Sequence, residues 1–179
     1  PRADRILQAG DIISLDTACF HRGYVGDAAY THAIGEVAPA VQRLLQRTEE
    51  ALYVAIEMSQ VGNKLSDVAR STQKYASKNG YSVALEYTGH GVGQTMHEAP
   101  QVPNWWPRRK TRRGRPMWPD YTLKAGMTYA IEPMLIAGLN DLYELDDDWT
   151  VVTQDGSLCA HFEHTIAITD EGPEILTQP

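Results

Sequence analysis

Asp16 and Asp27 interrupt two stretches that otherwise read as β-strand, Ile12 to Leu15 and Tyr24 to Ile34, at places suited to an apolar or β-branched residue. His21-Arg22-Gly23 lies between them with turn character, so the two stretches read as a hairpin. A regular two-residue turn centred midway between the aspartates sets them directly opposite, on one face and about 5 Å apart. Facing carboxylates repel unless a proton or a cation lies between them. The alternative is that one of them faces solvent or caps the turn.

Three further segments add chemistry of the same kind. Gly89-His90-Gly91-Val92-Gly93 holds a histidine in tight backbone and runs on to Met96-His97-Glu98-Ala99-Pro100. It lacks the Lys-Ser/Thr of a P-loop, and its two histidines are seven apart, not four apart on a helix as in one common zinc motif. Each histidine could also be a buried residue satisfied by the backbone. Ala130-Ile131-Glu132-Pro133-Met134 sets a carboxylate in an apolar strand, and His161-Phe162-Glu163-His164-Thr165 does so again before apolar Ile166 to Ile168. A glutamate buried in such a strand is costly without a partner, although a single one can occupy the exposed side of the pleat. Four carboxylates and an imidazole on separate strands suit two hard or borderline divalent ions. Paired ions that clamp a water and a substrate oxygen are equipped for hydrolysis.

The elements that must position these groups follow from periodicity. Glu36 to Val61 carries apolar residues at helical spacing, and Gly62-Asn63 stops it. Ser66 to Ser77 predicts a second amphipathic helix capped by Asn79-Gly80. Strands are expected over Ser82–Tyr87, Thr128–Ile136, Thr150–Thr153 and His161–Thr169. A strand pair, two helices and then several strands predict an α+β domain, an antiparallel sheet covered on one face by helices. No linker divides residues 1–179, so one domain is expected.

Composition bounds the class of partner. The chain has 179 residues, of which 42% are hydrophobic and 22% charged, a globular mix. No stretch approaches the roughly 18 apolar residues of a membrane span, the start does not resemble a signal peptide, and two cysteines are too few for a disulfide framework. A cytoplasmic setting is the expectation. The net charge of −7 is unevenly placed: six of sixteen bases fall between Arg108 and Arg115, leaving ten bases against 23 acids elsewhere. That excludes a generally basic nucleic-acid binder but not a local basic contact. The surrounding segment, Pro103 to Tyr121, is rich in proline and tryptophan and reads as a long loop insertion.

Taken together, Asp16, Asp27, Gly89–Pro100, Ile131-Glu132-Pro133 and Phe162-Glu163-His164-Thr165 resemble the methionine aminopeptidases, from Pro1 to Thr177 apart from the basic loop. The resemblance implies the pita-bread (creatinase/aminopeptidase) fold, a curved antiparallel sheet with covering helices, here incomplete at the N-terminus. It implies Asp16, Asp27, His90, Glu132 and Glu163 as ligands of two divalent ions (Co, Mn, Fe(II) or Zn), with Asp27 and Glu163 bridging. Asp16 would hold one ion, and His90 with Glu132 would complete the other. A water activated there would remove the N-terminal methionine of nascent chains. Glu132 would shuttle the proton, and His97 would bind the substrate carbonyl or amide and the tetrahedral intermediate. Met96 and Trp149 match positions lining the methionine pocket, and could equally be core residues. His97-Glu98-Ala99-Pro100, Glu163-His164-Thr165 and the lack of a helical insertion before Glu132 favour a type I methionine aminopeptidase over a proline-specific relative.

The sequence departs from the family in three ways. The family's catalytic region begins upstream, and Pro1 matches the proline of a His-Gly-Ile-Pro-like segment. These residues alone are therefore expected to be weakly stable or weakly active. His161 stands where relatives often carry Gln, read either as an imidazole that tunes the site or as a surface substitution. The basic loop, flanked by Trp105, Trp106 and Trp118, could contact ribosomal RNA by charge and stacking, or its tryptophans could pack on the domain. The competing functions are an Xaa-Pro peptidase of the same fold and a catalytically silent ribosome- or RNA-binding member.

Overall fold

The structure, a computed structural model, describes residues 4–107 and 118–178. The strands β1 (Ile12–His21) and β2 (Tyr24–Ala33) open the chain, followed by helices α1 (Pro39–Met58) and α2 (Leu65–Lys78). Then come β3 (Ser82–Val83), β4 (Thr88–Gly91), β5 (Glu98–Pro103), β6 (Thr128–Ile131), β7 (Met134–Ile136), β8 (Leu142–Glu144) and β9 (Val151–Thr153). The chain ends with β10 (Cys159–His161), β11 (His164–Thr169) and β12 (Gly172–Ile175). All strand pairs are antiparallel, and the α+β class read from the sequence holds.

The hairpin turn is centred one residue further along the chain than directly opposed aspartates require. Arg22 and Gly23 both have positive φ, 49° and 88°, as a two-residue type I′ turn demands, and Gly23 takes the second position at no steric cost. The register follows: Asp16 pairs with Ala29, and Asp27 with Ala18. The two aspartates are therefore diagonal neighbours on one face, not directly opposite.

The helices form as their periodicity requires. Pro39 starts α1 with its φ already helical, and Leu44, Leu45, Ala51, Leu52, Ala55 and Ile56 form its buried stripe. The Asp67 side chain accepts the Lys64 N–H at the start of α2. At its end the Gly80 N–H donates to Ser77 O and the Tyr81 N–H to Ala76 O, the Schellman pattern expected of Asn79-Gly80. Both stripes pack onto one layer of strands, with Tyr129, Ile131, Leu135, Phe162, Ile166 and Ile168 as the sheet side of the core. Each such side chain removed from water contributes about 1.5–3 kcal/mol.

Two long expected strands are each broken in the middle. Thr128–Ile136 is interrupted at Glu132-Pro133, and His161–Thr169 is joined by β10 and broken at Phe162-Glu163. The pieces keep one register across the break: His164 pairs with Ile131 on one side, and His161 with Met134 on the other. Continuing that register through the gap sets Glu132 opposite Glu163. The ladder yields where two carboxylates face each other.

The Pro103–Tyr121 segment fits its loop reading only in part. Pro103 ends β5, which was not expected from the sequence, and residues 108–117, which hold the whole basic run, lie outside the described residues. Trp105 and Trp118 meet edge to face at 5.0 Å between centroids, and Trp106 and Trp118 at 5.8 Å. The Trp105 indole N–H donates to Leu85 O, and Trp106 is buried with the Arg70 guanidinium over its ring. These rings pack on the domain and on one another, as the second of the two readings of the tryptophans expects.

Candidate metal centre

β4 carries His90 between two glycines because neighbouring backbone leaves no room for a side chain. A Cβ on Gly89 would overlap the Ala130 carbonyl oxygen and crowd that of Val102, and one on Gly91 would overlap the Ala99 carbonyl oxygen. The glycines are thus required by close approach of β5 and β6 and not by an unusual φ. Gly89→Ala is expected to cost about 1–3 kcal/mol, as forced overpacking does, and to shift His90. Thermal unfolding with and without added divalent cation would show a lower midpoint and a smaller cation-induced rise. An unchanged midpoint would refute the close-approach argument.

The second strand of the site is fixed by two threonine clasps. Thr165 Oγ1 accepts from the Asp27 N–H at 2.9 Å and donates to Asp27 O at 2.8 Å. Thr31 Oγ1 accepts from the His161 N–H at 2.8 Å and donates to His161 O at 2.7 Å. Between them the Glu163 N–H donates to Ala29 O at 2.8 Å. β2 therefore lies antiparallel to residues 161–165, and Asp27, His161 and Glu163 are pinned through their own peptide groups. Thr165 entered the sequence reading only as part of the Glu163-His164-Thr165 segment and Thr31 not at all, because Thr is an ordinary strand residue and a clasp leaves no spacing signature.

The side chains converge on one cleft of about 440 Å³, lined by Asp16, Ala18, Asp27, His90, Met96, His97, Glu132, Trp149 and Glu163. Every site residue expected from the sequence is on that wall. Met96 and Trp149 are exposed, 37% and 84%, so neither is a core residue. The His97 ring lies 4.3 Å from that of His90, centroid to centroid. His90 Nδ1 is 3.0 Å from Gly91 O; donation there assigns the proton to Nδ1 and leaves the Nε2 lone pair for the cleft.

Two groups of three have donor atoms all within 4.8 Å of one another: Asp27, His90 and Glu163, which line the cleft, and Asp16, His161 and Glu163. Glu163 belongs to both, which suits a bridging ligand. Asp27 joins only the first. Glu132 falls outside both groups and stands between the imidazoles, with Oε1 3.6 Å from His90 Nε2 and Oε2 3.6 Å from His161 Nε2. His161 is not on the surface: its side chain is only 13% exposed.

The electrostatics show what the arrangement lacks. Burial pushes the Glu163 carboxyl up to about 9, helped by Glu132, Asp27 and Asp16. Asp27 is raised too, first by burial and then by Asp16, with His90 pulling the other way. Among the described residues, Asp27 Oδ1, Glu163 Oε1 and His161 Nε2 are buried side-chain atoms with no hydrogen-bond partner. Crowded carboxylates with unpartnered oxygens beside imidazole nitrogens fit divalent cations, which neutralise the repulsion and take up the free lone pairs.

Comparison with known proteins agrees with this chemistry. The model of metallopeptidase family M24 matches residues 1–170. A methionine aminopeptidase of Clostridium acetobutylicum is 46% identical over 177 residues, 99% of this chain and 67% of that protein. The crystal structure of methionine aminopeptidase from Thermotoga maritima superimposes with a TM-score of 0.88 at 42% identity, covering 98% of this chain and 67% of that one. An Xaa-Pro dipeptidase from Bacillus anthracis shares the fold alone, at a TM-score of 0.72 and 24% identity, with 99% of this chain and 42% of that chain covered. The chain spans about two thirds of the length of the methionine aminopeptidases it matches. On this likeness and this divalent-cation chemistry, the chain belongs to metallopeptidase family M24, on the side of the methionine aminopeptidases.

Proposed function

We propose that the protein is a metal-dependent aminopeptidase that hydrolyses the peptide bond after an N-terminal methionine. The observation that carries this reading is the single cleft in which Asp16, Asp27, His90, Glu132 and Glu163 meet His97, Met96 and Trp149. Asp16, Asp27, His90, Glu132 and Glu163 would hold two divalent ions (Co, Mn, Fe(II) or Zn). When bound, such ions lower the pKa of a water and polarise the scissile carbonyl.

The chain's own residues do the rest. Glu132, between the imidazoles of His90 and His161, takes the proton of the attacking water and passes it to the leaving amide nitrogen. His97 donates to the substrate carbonyl as charge develops on its oxygen. Met96 and Trp149 flank the same opening and contact the methionine side chain, Met96 through a soft and adaptable thioether. The substrate is then the start of a newly made chain in the cytoplasm. The six bases between Arg108 and Arg115 would meet ribosomal RNA through charge.

Stripping the protein of cations and reloading it before assay with Met-Ala-Ser and with an Xaa-Pro peptide tests this reading. Cleavage of Met-Ala-Ser only in the presence of divalent cation is the expected result. Preference for the Xaa-Pro bond, or cleavage indifferent to chelation, would overturn it.

A further inference from the structure

His161 is the one imidazole at the site that the five-ligand reading leaves without a role. Its peptide is clamped on both sides by Thr31, so the side chain leaves the backbone at a fixed point. Its Nε2 is buried and has no hydrogen-bond partner. The nearest charged atom, Glu132 Oε2 at 3.6 Å, is beyond hydrogen-bond range. A buried nitrogen with no partner is costly unless something else occupies its lone pair. The donors around it are the carboxylates of Asp16 and Glu163, all three donor atoms lying within 4.8 Å of one another.

The two groups of three have the same make-up: an aspartate and an imidazole, with Glu163 common to both. We propose that His161 is a cation ligand in its own right. Its Nε2 completes, with Asp16 and Glu163, one of two adjoining divalent-cation positions, while Asp27, His90 and Glu163 hold the other. This rests on the metal-dependent reading above and adds a donor to it. Asp16 and Glu163 alone would offer only oxygen, which suits Mg or Mn; a nitrogen at that position moves its preference toward Zn, Co or Fe(II).

Co²⁺ is the probe that separates the possibilities. In metal-free protein titrated with Co²⁺, the exchangeable ring N–H of a ligating histidine gives a paramagnetically shifted proton resonance. Two such signals are expected in the two-ion form, one from His90 and one from His161, and His161→Gln should remove one. Calorimetric titration with Zn²⁺ should show one of two binding steps weakened in H161Q by at least the roughly 10–100-fold that even a residue supporting a ligand commands. The signal count in the unsubstituted protein needs no variant to fold, so the proposal stands or falls on it alone. Two bound Co²⁺ ions with a single shifted histidine signal would overturn it. Absence of any Co²⁺ or Zn²⁺ binding would instead overturn the metal-dependent reading itself, a different and separable result.

Discussion

Glu132→Gln is expected to lower Met-Ala-Ser turnover by roughly 10²–10⁴-fold, the range lost with a general acid–base group, while the protein still folds. The amide is isosteric with the carboxylate, and the backbone at this position is held independently, with Asn104 Nδ2 donating to Glu132 O at 3.0 Å. What the substitution removes is proton affinity at a point 3.6 Å from both His90 and His161. If Glu132 were only a ligand, a higher cation concentration would restore the rate. If it carries the proton, saturating cation leaves the deficit in place. Activity measured across a cation titration distinguishes the two, and full rescue would remove Glu132 from the proton-transfer role.

Glu163→Gln should have two opposite effects, on separate states of the protein. In the metal-free state the Glu163 carboxyl is raised from 4.5 to about 9 by burial and by Glu132, Asp27 and Asp16. Between those values the folded form holds a proton that the unfolded chain has released, so metal-free stability falls as pH rises through this window. At about 1.4 kcal/mol for each pH unit crossed, the decline amounts to several kcal/mol. Glutamine carries no charge to bury, so the variant without metal should unfold at a higher temperature than the parent at pH 8, and its pH dependence should flatten. The parent should gain stability on adding Zn²⁺ or Mn²⁺, and the variant should gain little, having lost the carboxylate common to both groups. Equal unfolding temperatures at pH 8 under chelation would refute the electrostatic argument.

Much of this site was legible in the sequence one residue at a time. Asp16, Asp27, Glu132 and Glu163 stood out because each contradicts the strand around it, and His90 because glycines crowd it. Their convergence was a different matter: it was carried by likeness to a family, since no period or spacing brings residues 16 and 163 together. The turn at Arg22-Gly23 shows how small the margin is. Shifting its centre by one residue changes the aspartates from opposed to diagonal, because register adds the error from both strands. β5 went unread because Pro100 and Pro103 argue against a strand, yet β5 is the outer strand of its sheet, where proline is tolerated. The breaks at Glu132-Pro133 and Phe162-Glu163 were hidden by continuous apolar flanks. The weight of His161 was hidden too, since its importance depends on a neighbour 130 positions away, Thr31.

The clasps and the shared register also bear on which ions the site can admit. Asp27, His161 and Glu163 are held at their peptide groups, and Glu132 and Glu163 are gripped by paired strand on both sides of the break. The backbone entropy of gathering these donors is spent when the chain folds, so less remains to be lost when an ion arrives. A cage fixed in this way cannot open freely to the longer bonds of calcium, about 2.3–2.6 Å, as a flexible loop can. Ionic radius thereby becomes a selection rule written into the strands, beside the one that donor chemistry writes into the ligands.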